Sequence, residues 1–121
     1  MTTRRVLFLD DDQDLREVFT ELMGTLGVAV TAVASVPELE HVVNGDDGAF
    51  DLAILDINLG PDAPSGIAAY RWLKEHHFRG RTVFLTGHAH SHPLVSEALR
   101  LGDASVHAKP MSVAELRAIM E

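Results

Sequence analysis

Three short, unbroken apolar runs stand out along the chain: Val6-Leu7-Phe8-Leu9, Leu52-Ala53-Ile54-Leu55 and Val83-Phe84-Leu85. Each is too short for a helix and rich in strand formers, and none alternates between apolar and polar positions. That pattern predicts strands covered on both faces, as in a parallel sheet. Weaker runs at 28–33 and 104–108 suit flanking or edge strands. Between the runs the period becomes helical. Leu15, Val18, Phe19, Leu22 and Leu26 recur at helical spacing, and Gly24 and Gly27 loosen and then stop that segment. Ser35-Val36-Pro37-Glu38 and Ser112-Val113-Ala114-Glu115 read as capping boxes, in which the glutamate returns to the backbone of the serine cap. Ser65 is expected to cap a helix running to about His77, and Pro93 to open one ending near Leu101-Gly102.

The predicted order is βαβαβαβαβα, which argues for a parallel sheet with helices on both faces. Right-handed crossovers favour a doubly wound arrangement, most simply with strand order 2-1-3-4-5. The length of 121 residues fits one domain, 1–121, and the absence of repeats and linkers agrees with that. Hydrophobic residues at 46% and charged residues at 23% exclude a disordered chain. A net charge of −8 argues against binding nucleic acid or an anionic membrane. There are no cysteines, hence no disulfide framework and no thiolate centre. No apolar run approaches the roughly 20 residues that span a bilayer, and the first residues do not read as a signal peptide. A cytoplasmic protein is expected.

The chemistry is written just after the strands. Asp10, Asp11 and Asp12 follow the first, Asp56 the third, Thr86 the fourth, and Lys109-Pro110 the fifth. Ligands of open α/β sheets bind at the carboxyl ends of the strands, where the strand order reverses. That point lies between strands one and three, so Asp10, Asp11 and Asp56 share a crevice, with Thr86 and Lys109 on the same edge. Three carboxylates repel one another unless a hard, oxygen-bound cation such as Mg²⁺ relieves them. Lys109 and the Thr86 hydroxyl can hold phosphoryl oxygens. An aspartate can itself be the nucleophile. Together these groups suit phosphoryl transfer to a carboxylate.

These segments closely resemble the response-regulator receiver domain of two-component signalling, the CheY-like family with its flavodoxin-like fold. The pieces that match are Val6-Leu7-Phe8-Leu9-Asp10-Asp11-Asp12, Asp51-Leu52-Ala53-Ile54-Leu55-Asp56-Ile57-Asn58, Val83-Phe84-Leu85-Thr86-Gly87 and Ala108-Lys109-Pro110. The resemblance implies Asp56 as phosphoacceptor and a Mg²⁺ site of Asp10, Asp11, Asp56 and the Asn58 backbone carbonyl, with Asp11 in direct contact. It implies that Thr86 and Lys109 touch the phosphoryl group, that Gly87 keeps the site open and that the Lys109–Pro110 peptide is cis. His88 and Asn58 fall where phosphate lifetime is tuned. The implied donor is a sensor histidine kinase or histidine phosphotransfer protein, and the signal passes to an unknown downstream protein by contact, from a monomer or weak dimer. The implied role is that of a phosphoacceptor rather than an enzyme.

Two features depart from the family. The loop 58–66 is about two residues longer than usual. Val106 stands where an aromatic ring normally reports phosphorylation. Rival readings are a receiver segment of a larger hybrid kinase or regulator, a Mg²⁺-dependent aspartyl-phosphate hydrolase, and a degenerate docking module. The hydrolase would need a carboxylate two residues after Asp56, where Asn58 stands. The complete set of Asp10, Asp11, Asp56, Thr86 and Lys109 argues against degeneracy. Asp12 and Asp14 read as helix-cap and first-turn acids. His88, His90 and His92 read as solvated loop residues rather than a metal site, and Trp72 as partial core.

Overall fold

The structure, a computed structural model, describes residues 4–45, 50–60, 63–87, 92–102, 104–109 and 111–120. The elements are β1 (Arg5–Leu9), α1 (Gln13–Thr25), β2 (Ala29–Val33), α2 (Val36–Asn44), β3 (Leu52–Asp56), α3 (Gly66–Glu75), β4 (Arg81–Thr86), α4 (Pro93–Arg100), β5 (Ser105–Ala108) and α5 (Val113–Met120). The strands form one parallel sheet in the order β2-β1-β3-β4-β5, as the alternation of strands and helices with right-handed crossovers predicts. The three unbroken runs are its central strands, and the two weaker runs are its edges.

Alternate side chains of a strand leave opposite faces, and the central strands are buried on both. Val6 and Phe8 of β1, Leu52 and Ile54 of β3, and Val83 and Leu85 of β4 pack with Phe19 and Met23 of α1 and Leu116 and Ile119 of α5. Leu7, Leu9, Ala53, Leu55 and Phe84 pack on the other face with Leu39 of α2, Tyr70 and Leu73 of α3, and Val95 and Ala98 of α4. The rings of Phe8 and Phe19 stack with centroids 4.1 Å apart. Truncating Phe8 to alanine would cost about 3–5 kcal/mol, because the surrounding core could not collapse into the space.

Local signals set the helix boundaries. Asp12 caps α1 by accepting from the Leu15 N–H, as expected of it. Gly27, at φ 77°, ends that helix; Val28 N–H returns to Met23 O and Gly27 N–H to Gly24 O, the paired bonds of a Schellman close. The Ser112–Glu115 box forms in both directions. The Ser35 box differs from expectation: Ser35 Oγ accepts from Glu38 N–H, but the Glu38 carboxylate returns to Ala34 N–H at 2.7 Å, one residue earlier. Val18 also departs from its apolar period. It is 59% exposed, while Met23 lies fully buried. The stripe of α1 that meets the sheet centres on Phe19 and Met23, which turns Val18 to solvent. Among the described residues, no helix is long and apolar enough to cross a membrane.

Candidate functional site

Strand register brings the site together. Leu9 pairs with Leu55, Asp56 with Leu85, and Thr86 with Ala108. The strands therefore end nearly flush, and Asp10, Asp56, Thr86 and Lys109 form one row along the carboxyl edge. The row is tied by backbone bonds: Asp10 N–H donates to Val33 O, Ile57 N–H to Leu85 O, and Lys109 N–H to Thr86 O at 2.8 Å. Gly66 N–H donates to Ile57 O at 2.9 Å, which seats the start of α3 against the end of β3.

Asp10, Asp56 and Thr86 are all buried, at 0%, 3% and 2% exposure. A charge that deep requires a partner. Lys109 supplies it. Its ammonium lies 2.8 Å from Asp10 Oδ2 and 3.1 Å from Asp56 Oδ2. The other Asp10 oxygen accepts from Asp12 N–H at 2.9 Å. Asp11 is exposed, yet it offers an oxygen to the same group: one carboxylate oxygen from each of Asp10, Asp11 and Asp56 lies within 4.8 Å of the others. Three acids thus face one lysine.

The imbalance shows in the proton affinities. Burial, then the charge of Asp10, raises the Asp56 pKa from 3.8 to about 6, against the opposing pull of Lys109. For Lys109, burial disfavours the charged form, but the hydrogen bond to Asp10 and the charges of Asp56 and Asp10 outweigh it and raise its pKa. The surplus negative charge and the all-oxygen donor set fit a hard divalent cation.

Of the other residues singled out in the sequence, Asn58 follows β3 and its Oδ1 accepts from Gly60 N–H at 3.1 Å. Gly87 follows Thr86, and a Cβ there would meet nothing within 4 Å. Val106 lies half-buried in β5, in register with Phe84. His88, His90 and Pro110 lie outside the described residues, and so does the expected cis peptide. His92 is not a solvated loop residue as expected: its Nδ1 accepts from Leu94 N–H and caps α4. Trp72 packs against the core, stacked with His76 at 3.9 Å.

Sequence reasoning missed Arg16. Its guanidinium donates to the Asp10 backbone carbonyl at 2.8 Å. One signal was available, because Arg16 is the only lysine or arginine between Arg5 and Arg71 and stands among acids.

Comparison with known proteins gives the class. Residues 6–121 match the response regulator receiver domain, and the chain belongs to that family. It is 24% identical over 120 residues to the response regulator protein PilR of Pseudomonas aeruginosa, covering 99% of this chain but only 26% of that protein. The fold is similar to that of a CheY-like receiver domain from Methylobacillus flagellatus, with TM-score 0.78, 26% identity, and coverage of 98% of this chain and 97% of the other. A response regulator receiver protein from Sinorhizobium medicae gives TM-score 0.79 at 25% identity, covering 97% and 90%.

Proposed function

We propose that residues 1–121 act as one receiver unit that takes a phosphoryl group from a phosphohistidine of a sensor kinase or phosphotransfer protein onto Asp56. The observation that carries this reading is the Lys109 ammonium between Asp10 and Asp56, at 2.8 and 3.1 Å, beside three clustered carboxylates. In the transfer an Asp56 oxygen forms the O–P bond as the P–N bond to the donor imidazole breaks, and the imidazole leaves with the bonding pair. Later, water attacks phosphorus, the O–P bond breaks, and Asp56 returns as carboxylate with release of inorganic phosphate.

Lys109 is placed to follow the charge onto the phosphoryl oxygens, and Thr86, at the end of the neighbouring strand, to donate from its hydroxyl. Asp10, Asp11, Asp56 and the Asn58 carbonyl would hold Mg²⁺, which when bound supplies positive charge to the acids and to the incoming phosphoryl group. Gly87, where even a Cβ would meet nothing within 4 Å, would leave room for that group, and Val106 would pass on a smaller change than an aromatic ring. The product is a signal carried by contact with a downstream protein.

The test is to incubate the purified chain with a small phosphodonor and Mg²⁺, then map the modified residue. Labelling is expected at Asp56 alone, dependent on Mg²⁺ and absent from Asp56→Asn. Undiminished labelling of that variant would overturn the assignment. Sustained turnover of a generic phosphate ester would favour a hydrolase instead.

A further inference from the structure

We infer that Arg16 is a positioning residue for the divalent-cation site, acting through the backbone that carries Asp11. The inference rests on the function proposed above. Asp10 and Asp56 are held by burial and by Lys109, whereas Asp11 is exposed and sits on the turn between β1 and α1. Its direction depends on the peptide plane that joins Asp10 to Asp11. A peptide is rigid and planar, so fixing its oxygen also fixes the N–H and Cα of the next residue. Arg16 fixes that oxygen: its Nη1 donates to Asp10 O at 2.8 Å from one turn along α1, in a half-buried setting.

The choice of acceptor is informative. Asp12, Asp14 and Glu17 surround Arg16 in sequence. Yet among the described residues its guanidinium pairs with no carboxylate and is spent on a neutral carbonyl. The Asp12 cap and the Asp12 N–H bond to Asp10 Oδ1 close the other side of the same turn. The turn is thereby held at three points, and Asp11 leaves it in one direction.

Two roles for Arg16 predict opposite signs. If it acted only as a nearby positive charge, its removal would tighten cation binding by Coulomb's law. If it orients Asp11, its removal weakens binding, and outer partners that orient metal ligands contribute about 10–100-fold in affinity. The experiment titrates Mg²⁺ at constant ionic strength, reading the backbone amide shifts of Asp11 and Asp56. Arg16→Met keeps the aliphatic stem and loses the donor; its Mg²⁺ dissociation constant is expected to rise about tenfold. Arg16→Lys keeps the charge and one donor and is expected to recover most of that loss. Equal or tighter binding by Arg16→Met would overturn the inference. Should that variant fail to fold, Arg16→Gln serves in its place with the same expected direction. A second arm measures the Mg²⁺ concentration for half-maximal phosphodonor labelling, which should rise with the dissociation constant while the maximal rate falls by a smaller factor. A parent chain that is never labelled would defeat the proposed function. A labelled parent matched in Mg²⁺ affinity by Arg16→Met would defeat the role of Arg16 alone.

Discussion

Asp56 is held in a setting that favours its protonated form, because burial and the Asp10 charge together outweigh Lys109 and lift its pKa to about 6 from 3.8. Between those values the folded chain retains a proton that the unfolded chain releases, so stability falls as pH rises through the folded pKa. The ionised Asp56 therefore costs stability at neutral pH when no cation is bound. Asp56→Asn removes that charge with little change of shape. In a chelator at pH 7 it should be more stable than the parent by about 1–3 kcal/mol, read from urea unfolding. The gain should shrink as pH falls towards about 4, where the parent carboxyl takes up its own proton. If the Asp56→Asn variant were instead less stable at pH 7, the Lys109–Asp56 pair would outweigh the repulsion.

At the scale of elements, two helix ends decide more than their sequences suggest. The start of α3 is packed so closely against β3 that a Cβ on Gly66 would collide with the Asp56 backbone carbonyl. Gly66→Ala should cost about 1–3 kcal/mol. Because the displaced atom belongs to Asp56, labelling should fall further than in Val36→Ala, a core change of comparable cost away from the site. Equal labelling of the two variants would mean that the backbone there yields freely. The other end of α3 is closed by His77 at φ 60°, with Phe78 N–H returning to Leu73 O and His77 N–H to Lys74 O. A side chain in that conformation is strained by roughly 1 kcal/mol. His77→Gly should stabilise the chain by up to about 1 kcal/mol, seen as a higher urea midpoint with an unchanged slope. A lower midpoint would show that the imidazole makes a compensating contact.

On the proposed reading, the acids gathered on the carboxyl edge couple the stability of the whole molecule to a divalent cation. Mg²⁺ at ten times its dissociation constant should stabilise the chain by about 1.4 kcal/mol, visible as a higher melting temperature. Asp11→Ala should melt above the parent in chelator and lose the Mg²⁺ response; a parent indifferent to Mg²⁺ would count against the site. If Asp56 is phosphorylated as proposed, Val106 is expected to set the route of the signal. Phe84 is partnered by Tyr70 of α3, with centroids 5.5 Å apart, and on β5 it is faced by a valine that is stiff at χ1. A phosphoryl mimic such as beryllofluoride, added with Mg²⁺, should therefore shift backbone amides at Asp56, Thr86 and Gly87 strongly and those of α5 little. Large shifts concentrated along α5 would show that another element replaces the missing ring.

The order of elements, the two-faced burial of β1, β3 and β4, and most helix boundaries are legible in the amino-acid sequence alone. Those depend on local period and local caps: Asp12, Ser112 and Gly27 act on backbone groups a few residues away. It also placed Asp10, Asp56, Thr86 and Lys109 at strand ends, because a run of apolar residues marks where each strand stops. Tertiary structure decided what no local signal encodes. The stripe on α1 turned towards Phe19 and Met23 and left Val18 in water, because the sheet selects the face that fits it. Glu38 reached Ala34 rather than Ser35 through the path of the chain into α2. The His92 cap, by contrast, is local: its Nδ1 accepts from the Leu94 N–H two residues on, just ahead of Pro93. The grip of Arg16 on the Asp10 carbonyl and the bridge from Lys109 to two acids required side chains to meet across the folded edge. The proton affinity of Asp56 depended on the same packing, since burial and neighbouring charge exist only once the strands lie side by side.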